Sequence, residues 1–323
     1  MTTVRNTSVD GGGGRREEGG AYAPLPARRT GCATSADGTR LYWEEHGPKD
    51  APAVVLSHGW TCSTLFWAAV IRELPDDLRV IAYDQRGHGR SQRPRRSGYR
   101  TTALADDLTA VLEDALPNGE RAVLAGHSMG GMTLLAAADR PAVRDRTAAA
   151  LLCSTGSGRL LAETRVLPPG IRNKRVRHFV HRRILVSAAP LGPQSRVTRS
   201  ALKYGVLGAG STAEQIAATA RLVHACGTAP RAGWGRVMAG LDLDAGVAAL
   251  RAPTAVIVGT ADKLTPPVHA HGMAARLPHC VGLTELPGLG HMTPIEDPRA
   301  VAGVIRGLAV DHLNTSGSKG NSQ

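Results

Sequence analysis

From Ala53 onward the chain alternates short, continuously apolar runs with stretches of helical spacing: AVVLSHG (53–59), RVIAYD (79–84), RAVLAGHS (121–128), TAAALLCST (147–155), PTAVIVGT (253–260) and CVGLTELPG (280–288). Runs this apolar, joined by helices rather than tight turns, predict parallel strands covered on both faces. Between them Leu104, Leu108, Val111, Leu112 and Ala115 recur on one helical face, and Pro298 behind Asp297 marks a helix start with an N-cap. Upstream, Asp37-Gly38 forms a hairpin turn and Leu41-Tyr42-Trp43 opens its second strand. The pattern is that of an α/β protein with a mostly parallel, doubly wound sheet.

The alternation stops over residues 156–235. Val176, Phe179, Val180 and Ile184 fall at helical spacing there, and Ser211 with Glu214 reads as a capping box. This segment is expected to be an inserted helical cap within a core formed by 31–155 and 236–313. Residues 1–30 and 314–323, which lack periodicity, are expected to be disordered tails.

Composition sharpens this picture at few points. With 42% hydrophobic residues among 323, the chain has enough apolar material for a sizeable core. The net charge of +12 is concentrated in the cap, where thirteen Arg or Lys face only Glu163 and Glu214. Arg172, Lys174, Arg175, Arg177, Arg182 and Arg183 surround the apolar residues of 176–184. That pattern suits an anionic substrate or a membrane surface, or is simply the solvated outer face of a lid helix. Nucleic acid is not an expected partner. Cys32, Cys62, Cys153, Cys226 and Cys280 are odd in number and never in C-x-x-C spacing, so neither a disulfide framework nor a zinc site is expected. No cluster has metal-ligand spacing, and Gly11 to Gly14 lack the strand and helix of a nucleotide loop, so neither metal nor organic cofactor is expected. With no apolar stretch of signal-peptide type at the N-terminus and no membrane-length apolar run, a cytoplasmic location is expected.

The candidate chemistry begins at Gly126-His127-Ser128-Met129-Gly130, where an apolar run gives way to a helical one. A strained strand-to-helix turn would project the Ser128 hydroxyl, and small neighbours leave it room. A neutral serine needs a base to take its proton and a third group to orient that base. His291, in Gly288-Leu289-Gly290-His291 after the last strand, and Asp262, in Gly259-Thr260-Ala261-Asp262 after the preceding one, supply them. Asp242 and Asp244 compete for the acid role, but their LDLDAGVAALRA context reads as a helix start and N-capping explains them better. The strand ending at Thr155 is followed by Gly156-Ser157-Gly158, with no carboxylate. Oxyanion donors are expected from the backbone N–H groups of Met129 and Trp60.

HGW (58–60), DQRGHGRS (84–91), GHSMGG (126–131), GTADKLTPP (259–267) and GHMTPIEDP (290–298) together resemble, in order and spacing, an α/β-hydrolase-fold esterase or lipase over about Gly31 to Leu313. HGW and DQRGHGRS also resemble cofactor-free haloperoxidases or perhydrolases, and GHSMGG looks more like monoacylglycerol lipases. The resemblance implies that Asp84, Arg86 and His88 shape a structural turn, that His58 supports the oxyanion loop, and that His127 packs beside the nucleophile rather than moving protons. The expected activity is hydrolysis of a small-molecule carboxylic ester through an acyl-enzyme on Ser128. Perhydrolysis and acyl transfer would use the same residues. Epoxide hydrolases and haloalkane dehalogenases would place Asp where Ser128 stands, and a non-catalytic ligand-binding member would have lost a triad residue. Acyl length, alcohol part and oligomeric state are not written in these motifs.

Overall fold

A computed structural model of the chain describes residues 20–167, 173–189 and 191–313. Its sheet has eight strands in the order β1-β2-β4-β3-β5-β6-β7-β8. These are β1 (Arg29–Thr34), β2 (Arg40–His46), β3 (Ala53–Ser57), β4 (Arg79–Tyr83), β5 (Ala122–His127), β6 (Thr147–Cys153), β7 (Thr254–Gly259) and β8 (Cys280–Leu286). β1 and β2 form the predicted hairpin, and β2 joins β4 antiparallel, while all pairings from β4 to β8 are parallel.

Every residue of β3, β4, β5, β6 and β7 is buried. Alternate side chains of a strand point to opposite faces, so such strands need helices on both. Along β5, Leu124 belongs to a core with Leu104, Leu108, Leu112 and Met132, whereas Val123 and Ala125 belong to a second core with Phe66, Trp67, Ile305 and Leu308. The helix Thr101–Ala115 thus covers one face and the helix Pro298–Leu313 the other. The latter starts as expected, with Ala300 N donating to Asp297 Oδ1 at 2.9 Å.

The sequence pattern misplaces four details. The tail expected over 1–30 is too long at its end: Tyr22 Oη donates to Ile295 O at 2.8 Å, Arg28 N donates to Glu45 O at 2.8 Å, and β1 begins at Arg29. Residues 1–19 and 314–323 lie outside the described residues. β8 is not covered on both faces, since as the edge strand it leaves Val281 44% exposed. The capping box is one residue later, Thr212 with Gln215, because the helix runs Ala213–Ala225. The Ser211 hydroxyl is used elsewhere, donating to Glu296 Oε2 at 3.0 Å. Finally, the helix Thr228–Met238 runs across the boundary expected at 235.

Between β6 and β7 the described residues form helices and no strand, chiefly Lys174–Leu185, Arg196–Val206, Ala213–Ala225 and Thr228–Met238. Val176, Phe179 and Ile184 on the first of these are 46%, 56% and 55% exposed. Among the described residues no helix is long and apolar enough to cross a membrane.

Candidate active site

The carboxyl ends of parallel strands are where α/β sheets present functional groups, and the candidate residues gather there. Ser128 sits between β5 and the helix Met129–Ala137 with φ 51° and ψ −116°. A side-chain residue rarely holds positive φ, and such strain persists only where the surroundings impose it. Here Ser128 N donates to Cys153 O at 2.9 Å, while Thr155 Oγ1 donates to Ser128 O at 2.7 Å. The close packing also explains two glycines: a Cβ on Gly126 would overlap Gly130 O, and one on Gly130 would overlap Ser57 O.

His291 Nε2 lies 3.0 Å from Ser128 Oγ, and its Nδ1 lies 2.8 Å from Asp262 Oδ2. A carboxylate only accepts, so Nδ1 carries the proton and Nε2 is left to accept from the serine hydroxyl. Asp262 is itself fixed from three sides: Oδ1 accepts from Leu264 N at 2.8 Å and Thr265 N at 2.9 Å, and Oδ2 accepts from Thr265 Oγ1 at 2.9 Å. All three side chains are buried.

The competing acids lie elsewhere. Asp244 pairs with Arg276 at 2.9 Å and accepts from Ser157 Oγ at 2.5 Å. N-capping is not quite their role, because the helix Asp244–Ala249 has Leu243 as its N-cap residue. Asp242 Oδ1 instead accepts the N–H of Asp244, the first helical residue, at 3.2 Å.

His127 Nε2 donates to His291 O at 2.8 Å, so this neighbour of Ser128 steadies the backbone that carries His291. Burial, with His291 close by, holds its pKa well below the ordinary range, and the ring stays neutral. His58 supports the loop after β3: Nδ1 donates to Gly59 O at 2.7 Å and Nε2 accepts from Gln85 N at 3.0 Å. Burial and the neighbouring His88 depress its pKa to about 3, and burial depresses that of His88 to about 4. Within the same turn Asp84 accepts from Thr64 N and Arg90 N at 2.8 Å each, and Arg86 is paired with Asp107 and Asp37. Among the described residues none of these side chains is hydrogen-bonded to the Ser128 hydroxyl, whose partner is His291.

For the oxyanion donors, Met129 opens its helix, so its N–H has no acceptor within that helix. The Trp60 indole is already committed, with Nε1 donating to Arg231 O at 3.1 Å. Only its backbone amide remains for a ligand.

A cavity of about 450 Å³ opens onto Ser128, His291, Trp60 and Thr265, with Met132, Leu161, Leu185, Leu202 and Val223 among its apolar walls. A smaller depression of about 260 Å³ near Glu44, Asp84 and Arg90 contains none of the three candidate residues. Among the described residues no group of His, Cys, Asp or Glu is arranged to hold a metal ion.

Sequence reasoning missed Thr265, whose Oγ1 is also 3.2 Å from His291 Nδ1, and Glu296. Glu296 Oε2 accepts from Gly208 N at 2.6 Å and from Gly290 N at 3.1 Å, joining the segment at 208–211 to the loop that carries His291. Both residues stand inside motifs of the chain, the Thr in GTADKLTPP and the Glu in GHMTPIEDP, but only tertiary placement gives them partners.

An elbow serine between strand and helix, at the carboxyl edge of a doubly wound sheet, belongs to the class of α/β hydrolases. The model for the alpha/beta hydrolase fold matches residues 52–298, and this chain is a member of that family. Over 258 residues it is 34% identical to the "Putative carbamate hydrolase RutD" of Variovorax paradoxus (strain S110), covering 78% of this chain and 89% of that protein. Over 102 residues it is 40% identical to the bifunctional esterase/perhydrolase DCH of Acinetobacter calcoaceticus, covering 31% of this chain. That match spans only about a third, 36%, of the relative's length. A thermophilic esterase from Thermogutta terrifontis superposes with a TM-score of 0.69 at 26% identity, over 88% of this chain and 99% of that one.

Proposed function

We propose that this protein is a carboxylic-ester hydrolase working through an acyl-enzyme on Ser128. The observation that carries the reading is the continuous relay from Ser128 Oγ through His291 to Asp262, at 3.0 and 2.8 Å. His291 Nε2 takes the hydroxyl proton as Ser128 Oγ attacks the acyl carbon. The developing oxyanion is held by the N–H groups of Met129 and Trp60. Collapse breaks the ester C–O bond, and His291 returns the proton to the leaving alcohol. Water, deprotonated by His291, then attacks the acyl-enzyme, freeing a carboxylic acid and the serine. Asp262 holds the imidazole in the reactive tautomer throughout and stabilises the imidazolium. In this reading 156–235 is a helical cap on the core of 31–155 and 236–313, and its apolar residues select the acyl or alcohol part.

The name of the Acinetobacter relative favours a second reading, perhydrolysis, in which hydrogen peroxide replaces water at the acyl-enzyme and the product is a peracid. The first experiment is turnover of p-nitrophenyl esters of graded acyl length, with thioester, lactone and carbamate controls, with and without peroxide. Hydrolysis of esters without peroxide supports the main reading. Peracid formation as the dominant reaction replaces it with the second, and turnover of the carbamate alone rejects both.

A further inference from the structure

Three arginines of the described chain are buried: Arg79, Arg86 and Arg231. The first two have carboxylate partners, Glu45 and Glu120 for Arg79, Asp37 and Asp107 for Arg86. Arg231 has none among the described residues, although it is only 6% exposed. Its guanidinium donates through Nη2 to Ala189 O, and the side chain makes no other hydrogen bond with the described residues. Cys226 lies near enough to feel its charge, but burial pushes that thiol up to about 11, so it stays neutral and supplies no counter-charge.

Arg231 also lines the Ser128 cavity. No Asp or Glu and no other Lys or Arg is among the described residues of that wall. A cation held out of water without a counter-ion is costly, and a planar fork of N–H donors matches a carboxylate in bidentate fashion. We propose that Arg231 is the anchor for a substrate carboxylate, so that the ester preferred by this site carries a free acid group, as a dicarboxylic acid monoester does. The proposal rests on the ester-hydrolase reading for its substrate class, while the anion site itself stands on burial and charge alone. Its position suits an anchor, because the backbone of Arg231 is tied to Trp60 through the indole bond and is thereby fixed relative to the oxyanion loop. Such a contact persists from ground state to transition state, so it acts on KM more than on kcat.

The test has a kinetic arm and a binding arm. In the first, p-nitrophenyl hemiesters from succinate to suberate are compared with esters of the same length ending in a neutral amide. The wild-type protein is expected to favour one hemiester, and Arg231→Gln to reduce that preference by about 10- to 100-fold, mainly through KM, the scale of a charge-assisted hydrogen-bonded pair. Arg231→Lys should restore part of it. An equal fall for both ester types in Arg231→Gln, or no preference in the wild type, overturns the proposal. In the second arm, calorimetry on Ser128→Ala measures adipate and suberate against their diamides, with no turnover required. Acids binding no tighter than amides overturn the proposal even if Arg231→Gln fails to fold. Arg231-dependent acid binding in a protein that hydrolyses no ester keeps the anion site and rejects the hydrolase reading.

Discussion

Replacing Asp262 by Asn changes one atom yet inverts a hydrogen bond. An amide can donate to His291 Nδ1, which then must accept, and Nε2 is left protonated and unable to take the Ser128 proton. Leu264 N and Thr265 N still have the amide oxygen at the Oδ1 position, and Thr265 Oγ1, which donates to Oδ2 in the native protein, can turn to accept from the amide nitrogen that replaces it, so the fold should survive. Ester turnover of Asp262→Asn is expected to fall by about 10⁴ in kcat, as for the same change in an unrelated serine protease. Asp242→Asn and Asp244→Asn should cost little. Steady-state kinetics of the three variants decide the matter, and loss confined to Asp242→Asn or Asp244→Asn transfers the acid role. The three residues were legible because each follows its own apolar strand run in a short Gly-rich motif. Thr265, Glu296 and Arg231 were not. Their significance lies in partners far away in sequence, and a Thr, a Glu or an Arg within a basic segment carries no local signal.

At the scale of elements, strand runs were easiest to recognise because β3 to β7 are buried on both faces and can be little other than apolar. Ends were harder. Ser211-Thr212-Ala213-Glu214-Gln215 offers two overlapping capping boxes, and the choice is made by Glu296, which takes the Ser211 hydroxyl. Glu296 holds Gly208 N, Ser211 Oγ and Gly290 N together, so Glu296→Ala leaves these donors without their acceptor. A loss of about 1–3 kcal/mol in stability by denaturant titration is expected, with a lowered kcat as the His291 loop loosens. Unchanged stability and kcat would dissolve the proposed link between that loop and the 208–211 segment.

The histidine-bearing turns carry a pH signature. His58, His88 and His127 are buried and neutral, with pKa values of about 3, about 4 and well below the ordinary range. In the unfolded chain each would take a proton near pH 6.5, so below that value the unfolded state binds more protons. Their contribution is therefore fully present above about pH 6.5 and is lost progressively as pH falls toward the folded values, at up to ~1.4 kcal/mol per pH unit for each. Thermal midpoints should drop by several degrees between about pH 7 and about pH 5. A flat profile across that window would mean that these rings are already charged or solvated.

Over the whole molecule, two kinds of positive charge bear on the cavity, and salt separates them. The exposed Arg175, Arg182 and Arg183 share a helix with exposed Val176, Phe179 and Ile184. If that face steers anionic substrates, kcat/KM for an anionic ester should fall as the Debye length shrinks from about 30 Å to about 8 Å, whereas a neutral ester should show no change. If it meets a membrane, anionic vesicles should bind the protein at low salt. Flat salt profiles and no vesicle binding would leave it a solvated face. Arg231, enclosed in the cavity, is screened less than those surface charges. The helices of the described residues between β6 and β7 are legible in the spacing, and the basic charge of that segment in its composition. The cavity these helices line is not, since a cavity depends on how helices meet the sheet.

The most direct measurement is the mass of the protein after reaction with a fluorophosphonate, followed by mapping of the modified peptide, in the wild type and in Ser128→Ala. Phosphonylation requires a serine activated by its base, which the His291 contact at 3.0 Å would supply. A single adduct on Ser128, absent from Ser128→Ala together with a loss of about 10⁴–10⁶ in kcat for ester hydrolysis, is the expected result. An adduct on another residue, or near-normal ester turnover by Ser128→Ala, would contradict Ser128 as the nucleophile.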